Sequence, residues 1–149
     1  MIKILLIVMA AIQAFWAGAA ALHLAAEWRL SKLDAVAAQA LYPWDEKYSL
    51  ILGTGNILRG NPDGAIPRLH DVVTRAPRNL AAWNNLGVAH ALRSQSAIGS
   101  RQSAVDKKKA ERALIRALAL SPTDALARKN LAIVRGQATG KYELAMIGS

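Results

Sequence analysis

The three histidines are the residues best suited to chemistry in this chain, and they are widely separated in sequence. His23 lies inside an apolar run, where an ionisable residue is a functional candidate. His70 is followed by Asp71, and His90 stands twenty residues further on, both within helical patterns. Both read as core or groove histidines. Gly53, Thr54, Gly55 and Gly60 imitate a phosphate-binding loop in composition only, since no strand precedes them and Gly53 has a packing use. Asp45 and Glu46 read as first-turn acids that complement a helix dipole. The motifs G-x-x-x-x-G-K-S/T, H-E-x-x-H and G-x-S-x-G are absent, and no carboxylate pair recurs on one helix face. Without cysteine there are no disulfides, thiolate metal sites or covalent haem. The reading is a protein that is not an enzyme, with no catalytic residues, no metal and no resident cofactor, and with His23 as its one candidate for cofactor binding.

The elements that position these residues are helical. Of 149 residues, 53% are apolar yet only 5% aromatic, an alanine-rich balance that predicts an all-α chain of one domain with an appendage. Residues 4–26 carry no formal charge, and 23 residues at ~1.5 Å rise span a ~30 Å hydrocarbon core with tilt to spare. Residues 1–29 are therefore expected to be a retained transmembrane anchor, with Trp28 at headgroup level. A cleaved signal peptide with Ala17-Gly18-Ala19 as its site is the competing reading, and apolarity that continues past that site opposes it. Lys3 against Arg29 and Lys32 leaves the charge rule nearly balanced. The signal-like layout favours an inner N-terminus, and so a bacterial inner-membrane protein with a periplasmic soluble domain. Ala10, Ala14 and Gly18 form a small-residue ridge for helix packing in lipid, and Ala17, Ala21 and Ala25 form another. With Ala19 one turn before it and Trp28 after it, His23 gives the span a slight resemblance to single-helix light-harvesting polypeptides. That resemblance implies a chlorophyll-type ligand; the plainer alternative is a neutral histidine bonded to water or a headgroup. Residues 30–44 are read as an amphipathic helix and linker. Leu30, Leu33, Ala37 and Leu41 prolong the membrane helix until Tyr42-Pro43-Trp44-Asp45 ends it.

From residue 45 the pattern repeats. Trp83, Leu86, Gly87 and His90 are followed by Ala110, Leu114, Ala117 and Pro122. Leu52, Gly53, Ala65, Leu69, Val72 and Pro77 form a looser unit, with Gly53 and Gly87 34 residues apart. A glycine one turn after a large apolar residue lets a second helix approach closely, and the alanines and leucine of that helix fill the contact. The pattern resembles the tetratricopeptide repeat (TPR) family, with His90 where the family has tyrosine and Leu114 where it has phenylalanine. The resemblance covers residues 45–136: repeats at 45–78 and 79–124 and a capping helix at 125–136, about two and a half repeats, with 137–149 left as a flexible tail. It implies a helical-hairpin solenoid that binds peptide on the face bearing Leu50, Thr54, Ala81, Asn84, Asn85, Val88, Leu126 and Asn130. Of the carboxylate clamp of co-chaperone relatives only Asn85 survives, which implies a mostly apolar ligand. Pro67 is tolerable if Asp63 caps its helix and the proline falls in the first turn.

The second unit is 11 residues longer than the first between its glycine and its proline, as Gly87 to Pro122 against Gly53 to Pro77 shows. Its serine-rich stretch at 94–103 reads as a loop bulging from the solenoid edge, although either helix could extend instead. Residues 79–122 hold seven lysines or arginines against two acids, five of the chain's nine net charges. Arg101, Lys107, Lys108, Lys109, Arg112 and Arg116 form an expected contact patch for an acidic protein or anionic lipid. The absence of interleaved aromatics and reader motifs excludes nucleic acid. The expected function is protein–protein interaction as an assembly factor, scaffold or accessory subunit of a bacterial membrane complex, with other membrane or periplasmic subunits and lipid as partners. The alternative is a permanent single-span subunit of a photosynthetic or respiratory complex, using His23 for pigment or haem.

Overall fold

A computed structural model describes residues 2–31, 34–41 and 43–146, the side chains of 2–8, 30, 31 and 35 left aside. Lys32, Leu33 and Tyr42 lie outside the described residues, as do the side chains of Lys3 and Leu30. Among the described residues there are seven helices and no strand: α1 (Ile2–Ser31), α2 (Ala35–Leu41), α3 (Glu46–Leu58), α4 (Pro62–Arg75), α5 (Leu80–Ser96), α6 (Arg101–Leu120) and α7 (Ala125–Arg135). The chain divides into two compact units, Met1–Tyr48 and Ser49–Ser149.

In the first unit α1 contains one stretch, Met9–Arg29, that is long and apolar enough to cross a membrane. Residues 30–44 do not prolong it as one straight helix. Asp34 accepts from Ala37 N–H and starts a separate short α2. Ala38 of α2 packs with Ala26 of α1, together with Leu41 and Tyr48. In one continuous helix those two alanines would stand roughly 18 Å apart. Contact between them therefore requires a reversal of the chain, and buried alanines permit the close approach.

The second unit stacks its helices in chain order, α4 on α5, α5 on α6 and α6 on α7, with α7 also reaching α5. The starts are fixed by side-chain caps: Asn61, Asn79, Ser100 and Asp124 each accept the backbone N–H of the third residue beyond. Asn61, not Asp63, caps α4, so Pro62 takes the tolerated first position and Pro67 falls in the second turn. Two close contacts recur. A Cβ on Gly53 of α3 would lie 2.8 Å from Leu69 Cγ of α4, and one on Gly87 of α5 would lie 2.6 Å from Leu114 Cγ of α6. Both glycines are required because the leucine of the next helix occupies the space a side chain would fill.

The surplus residues of 94–103 do not bulge as a loop. They lengthen the hairpin: α5 and α6 have 17 and 20 residues where α3 and α4 have 13 and 14, and only 97–100 connect them. Ser94 and Ser103 tie the added turns together, Ser94 Oγ donating to Ser103 O (3.0 Å) and Ser103 Oγ to Ser94 O (2.9 Å). Hydroxyls that donate to facing backbone carbonyls across two helices make a serine-rich stretch compatible with helix.

Gly87→Ala should lower stability by about 1–3 kcal/mol, the usual cost of forcing a methyl into a filled core. Gly55→Ala, whose new Cβ would meet only the guanidinium of Arg59 at 3.5 Å, should be neutral or gain up to ~1 kcal/mol of helix propensity. Urea unfolding of the full chain in mild detergent, followed by circular dichroism, checks the contrast.

Candidate functional site: an asparagine-lined groove

Asparagine is a poor helix residue, yet Asn84 and Asn85 of α5 and Asn130 of α7 are all fully buried within helices. Each carboxamide offers two donors and an acceptor oxygen, and burial requires that they be used. Their partners are mutual and backbone. Asn130 Nδ2 donates to Asn84 Oδ1 (2.9 Å), Asn84 Nδ2 to Asn85 Oδ1 (3.1 Å), and Asn85 Nδ2 to Thr54 Oγ1 (3.0 Å), so that a ladder runs from α7 to α3.

The ladder grips an extended segment. Glu143 N–H donates to Asn130 Oδ1 (2.8 Å), and Asn130 Nδ2 (2.7 Å) and Asn84 Nδ2 (3.1 Å) donate to Glu143 O. Two residues on, Ala145 N–H donates to Asn85 Oδ1 (2.9 Å) and Asn85 Nδ2 donates to Ala145 O (3.0 Å). Asn130 and Asn85 thus each pair with both polar groups of one residue, as a neighbouring strand would. The side chains of Tyr142 and Leu144 pack on the apolar cluster that includes Leu50, Ala81 and Val88. Glu143 turns outward to an ion pair with Lys129, and Gln95 Nε2 donates to the Tyr142 hydroxyl (3.3 Å). Burial pushes the Tyr142 phenol up. Residues 142–145 therefore form a docked extended segment where the sequence predicts a flexible tail, because the buried asparagines and the apolar cluster together give each of them a contact. The grip on the backbone is polar, and the side chains turned to the cluster, Tyr142 and Leu144, are largely apolar.

Of the groove residues read from sequence, Thr54, Asn84, Asn85 and Asn130 form the ladder beside this segment, and Leu50, Ala81 and Val88 belong to the apolar assembly on which Tyr142 and Leu144 also pack. Leu126, half-buried in the first turn of α7, takes no part in its hydrogen bonds. Sequence reasoning missed Tyr142, Leu144 and Ala145, although apolar residues at 142 and 144 after Gly140 already show the alternation of a strand.

The opposite face of α5 borders a second recess. Arg93 and His90 of α5, His70 of α4, and Lys109, Arg112 and Arg116 of α6 surround it, over Trp83 and Leu86. The six expected patch residues are all exposed, but they do not share one face. Lys107 borders a different recess, beside Gln95 and Tyr142, because two residues turn a helix by roughly 200°.

Behind this recess lies a carboxylate that sequence reasoning also missed. Asp106, fully buried on α6, accepts from Arg93 Nη2 (2.6 Å) and Nε (2.9 Å), from Gln102 Nε2 (2.9 Å) and from His90 Nδ1 (2.9 Å). Burial pushes its pKa up, but the bonds from Arg93, Gln102 and His90 outweigh burial and hold it well below the usual carboxylate range. Burial lowers the pKa of His90 more than Asp106 raises it. The neutral ring must then carry its proton on Nδ1 to serve an ionised carboxylate.

In the first unit, His23 offers a ligand atom within 4.8 Å of one from Glu27 and one from Asp45. Glu27 is already engaged by Lys47 Nζ (2.9 Å) and the Tyr48 hydroxyl (3.1 Å), cationic and neutral donors where an incoming metal ion would have to compete. Ala10, Ala14 and Gly18 are exposed along α1, and a Cβ on Gly18 would meet nothing within 4 Å. No protein-family model and no curated protein matches the chain.

Acidification should destabilise the α5–α6 pair in two stages. Stability from His90 is full above its ordinary value of 6.5 and declines as pH falls below it, since the unfolded chain then binds a proton that the folded chain resists. Stability from Asp106 is full above the ordinary 3.8 and declines as pH falls through its lowered folded value. His90→Gln should remove the first stage. Asp106→Asn should cost about 3–5 kcal/mol at pH 7, the loss expected when one partner of a buried ion pair is removed. Thermal melts from pH 8 to 3 read the first stage and the onset of the second.

Proposed function

We propose that the chain is a membrane-anchored, non-enzymatic adaptor of the TPR kind, an assembly or scaffold factor or accessory subunit of a bacterial membrane complex. The observation that carries this reading is the grip of Asn84, Asn85 and Asn130 on the backbone of an extended segment. Side chains that pair with N–H and C=O groups alone recognise polypeptide as such and leave selectivity to the adjoining apolar contacts. The repeat assignment is supported by the glycine–leucine contact recurring between α3 and α4 and between α5 and α6. In this reading α1 anchors the protein in the inner membrane with the helical domain on the periplasmic side, and the exposed arginines and lysines of α6 add contacts to acidic partners or lipid. The alternative, a permanent single-span subunit, draws on the exposed ridge of Ala10, Ala14 and Gly18.

An anchored chain stays with membranes through high-salt and carbonate washing, because ~20 buried apolar residues outweigh surface electrostatics. Complexes purified in mild detergent should lose their co-purifying subunits when Asn84, Asn85 and Asn130 are replaced together by alanine, and keep them in Thr123→Ala, at an exposed turn outside the groove and the basic face. The same subunits recovered from both variants would overturn the groove as the contact, and release of the chain by carbonate would overturn the anchor.

A further inference from the structure

The groove already holds an extended segment, and that segment belongs to the same chain. We infer that residues 142–145 are a resident occupant that a partner must displace, and that the partner supplies an extended segment patterned aromatic, any residue, aliphatic, small. The inference rests on the adaptor reading and adds what the groove accepts and what holds it closed.

The pattern follows from the contacts. Carboxamide pairs at Glu143 and Ala145 fix the backbone in a two-residue period, so Tyr142 and Leu144 face the apolar cluster. A slip of one residue would press Glu143 onto that cluster and expose Leu144, which fixes the register. Ala145 is itself buried, 8% exposed, leaving room for a small side chain only. Glu143 is exposed and its carboxylate pairs with the exposed Lys129, so its position tolerates any residue.

Closure follows from the connection. Gly136 ends α7 in the left-handed conformation (φ 74°), and Gly140, at φ 136°, precedes the strand. A linker of residues 136–140 thus returns the chain onto the helix it has just left. So short a connection holds the strand at an effective concentration on the order of millimolar. A free peptide making the same contacts with a dissociation constant of about 10 μM would meet competition of about a hundredfold.

The test uses a fluorescent hexapeptide of sequence KYELAM, identical to residues 141–146, with the full chain in detergent. The variant Leu144→Asp/Ala145→Pro removes the apolar contact and the N–H that Asn85 accepts, and should bind the peptide at least about tenfold more tightly than the unmodified chain. A second variant keeps every contact and inserts about 20 glycine and serine residues after Thr139. Lengthening the linker about fivefold should also tighten peptide binding about tenfold, by the three-halves power of length. A peptide with aspartate in place of leucine should bind none of the three proteins. Equal peptide affinity for the unmodified chain and the long-linker variant would overturn the resident occupant, while leaving the co-purification result of the adaptor reading intact. No binding to either variant, each shown to retain its melting transition, would overturn the proposed pattern.

Discussion

A buried carboxamide must find partners for two N–H donors and a carbonyl oxygen, and the surrounding helical backbone has already used its own groups on itself. Left unpaired, each such group costs about 1–3 kcal/mol. Asn84, Asn85 and Asn130 escape that cost by bonding to one another, to Thr54 and to the backbone of Glu143 and Ala145. This requirement fixes the distance between α5 and α7, orients Thr54 of α3 toward α5, and demands a polypeptide strand or water along the groove. The groove is thus defined by polar satisfaction, with the apolar cluster that includes Leu50 and Val88 supplying the ground on which Tyr142 and Leu144 rest.

The same need for partners organises the other face of α5. Asp106 would be costly to bury alone, and it is surrounded by Arg93, Gln102 and the neutral ring of His90. Those bonds sit at the connected end of the α5–α6 hairpin, beyond the close contact of Gly87 with Leu114. Together with the paired hydroxyls of Ser94 and Ser103, they let the hairpin run past the length of α3 and α4 without an apolar core to hold its end. Arg93 also reaches Asp63 of α4 (3.3 Å) and so joins three helices with one guanidinium.

Features that depend on near neighbours in the chain are legible in the amino-acid sequence. The charge-free run of α1, the glycine spacing of Gly53 and Gly87, and the break at Gly136 each express a local rule. Features that depend on distant partners are not. Ser94 to Ser103 has a loop's composition, and only the facing hydroxyls and the buried Asp106 make helix the better outcome. Asp106 looks like one charge in a lysine-rich helix until Arg93 and His90 stand opposite it. The alternation after Gly140 shows which side chains of an extended segment turn inward, but not where it docks, since its hydrogen-bond partners lie 13 and 60 residues away. Ala38 is another such case. Helical spacing alone carries 30–41 onward from α1, and only packing against Ala26 turns it back.

Backbone hydrogen exchange of residues 141–146, resolved amide by amide in the detergent-solubilised full chain, addresses the central claim most directly. A strand held by paired carboxamides protects alternate amides: those of Glu143 and Ala145 should exchange at least about tenfold more slowly than that of Leu144, and slow together when the α5–α7 packing is stabilised. Exchange of all these amides at the rates of a free peptide would contradict the account.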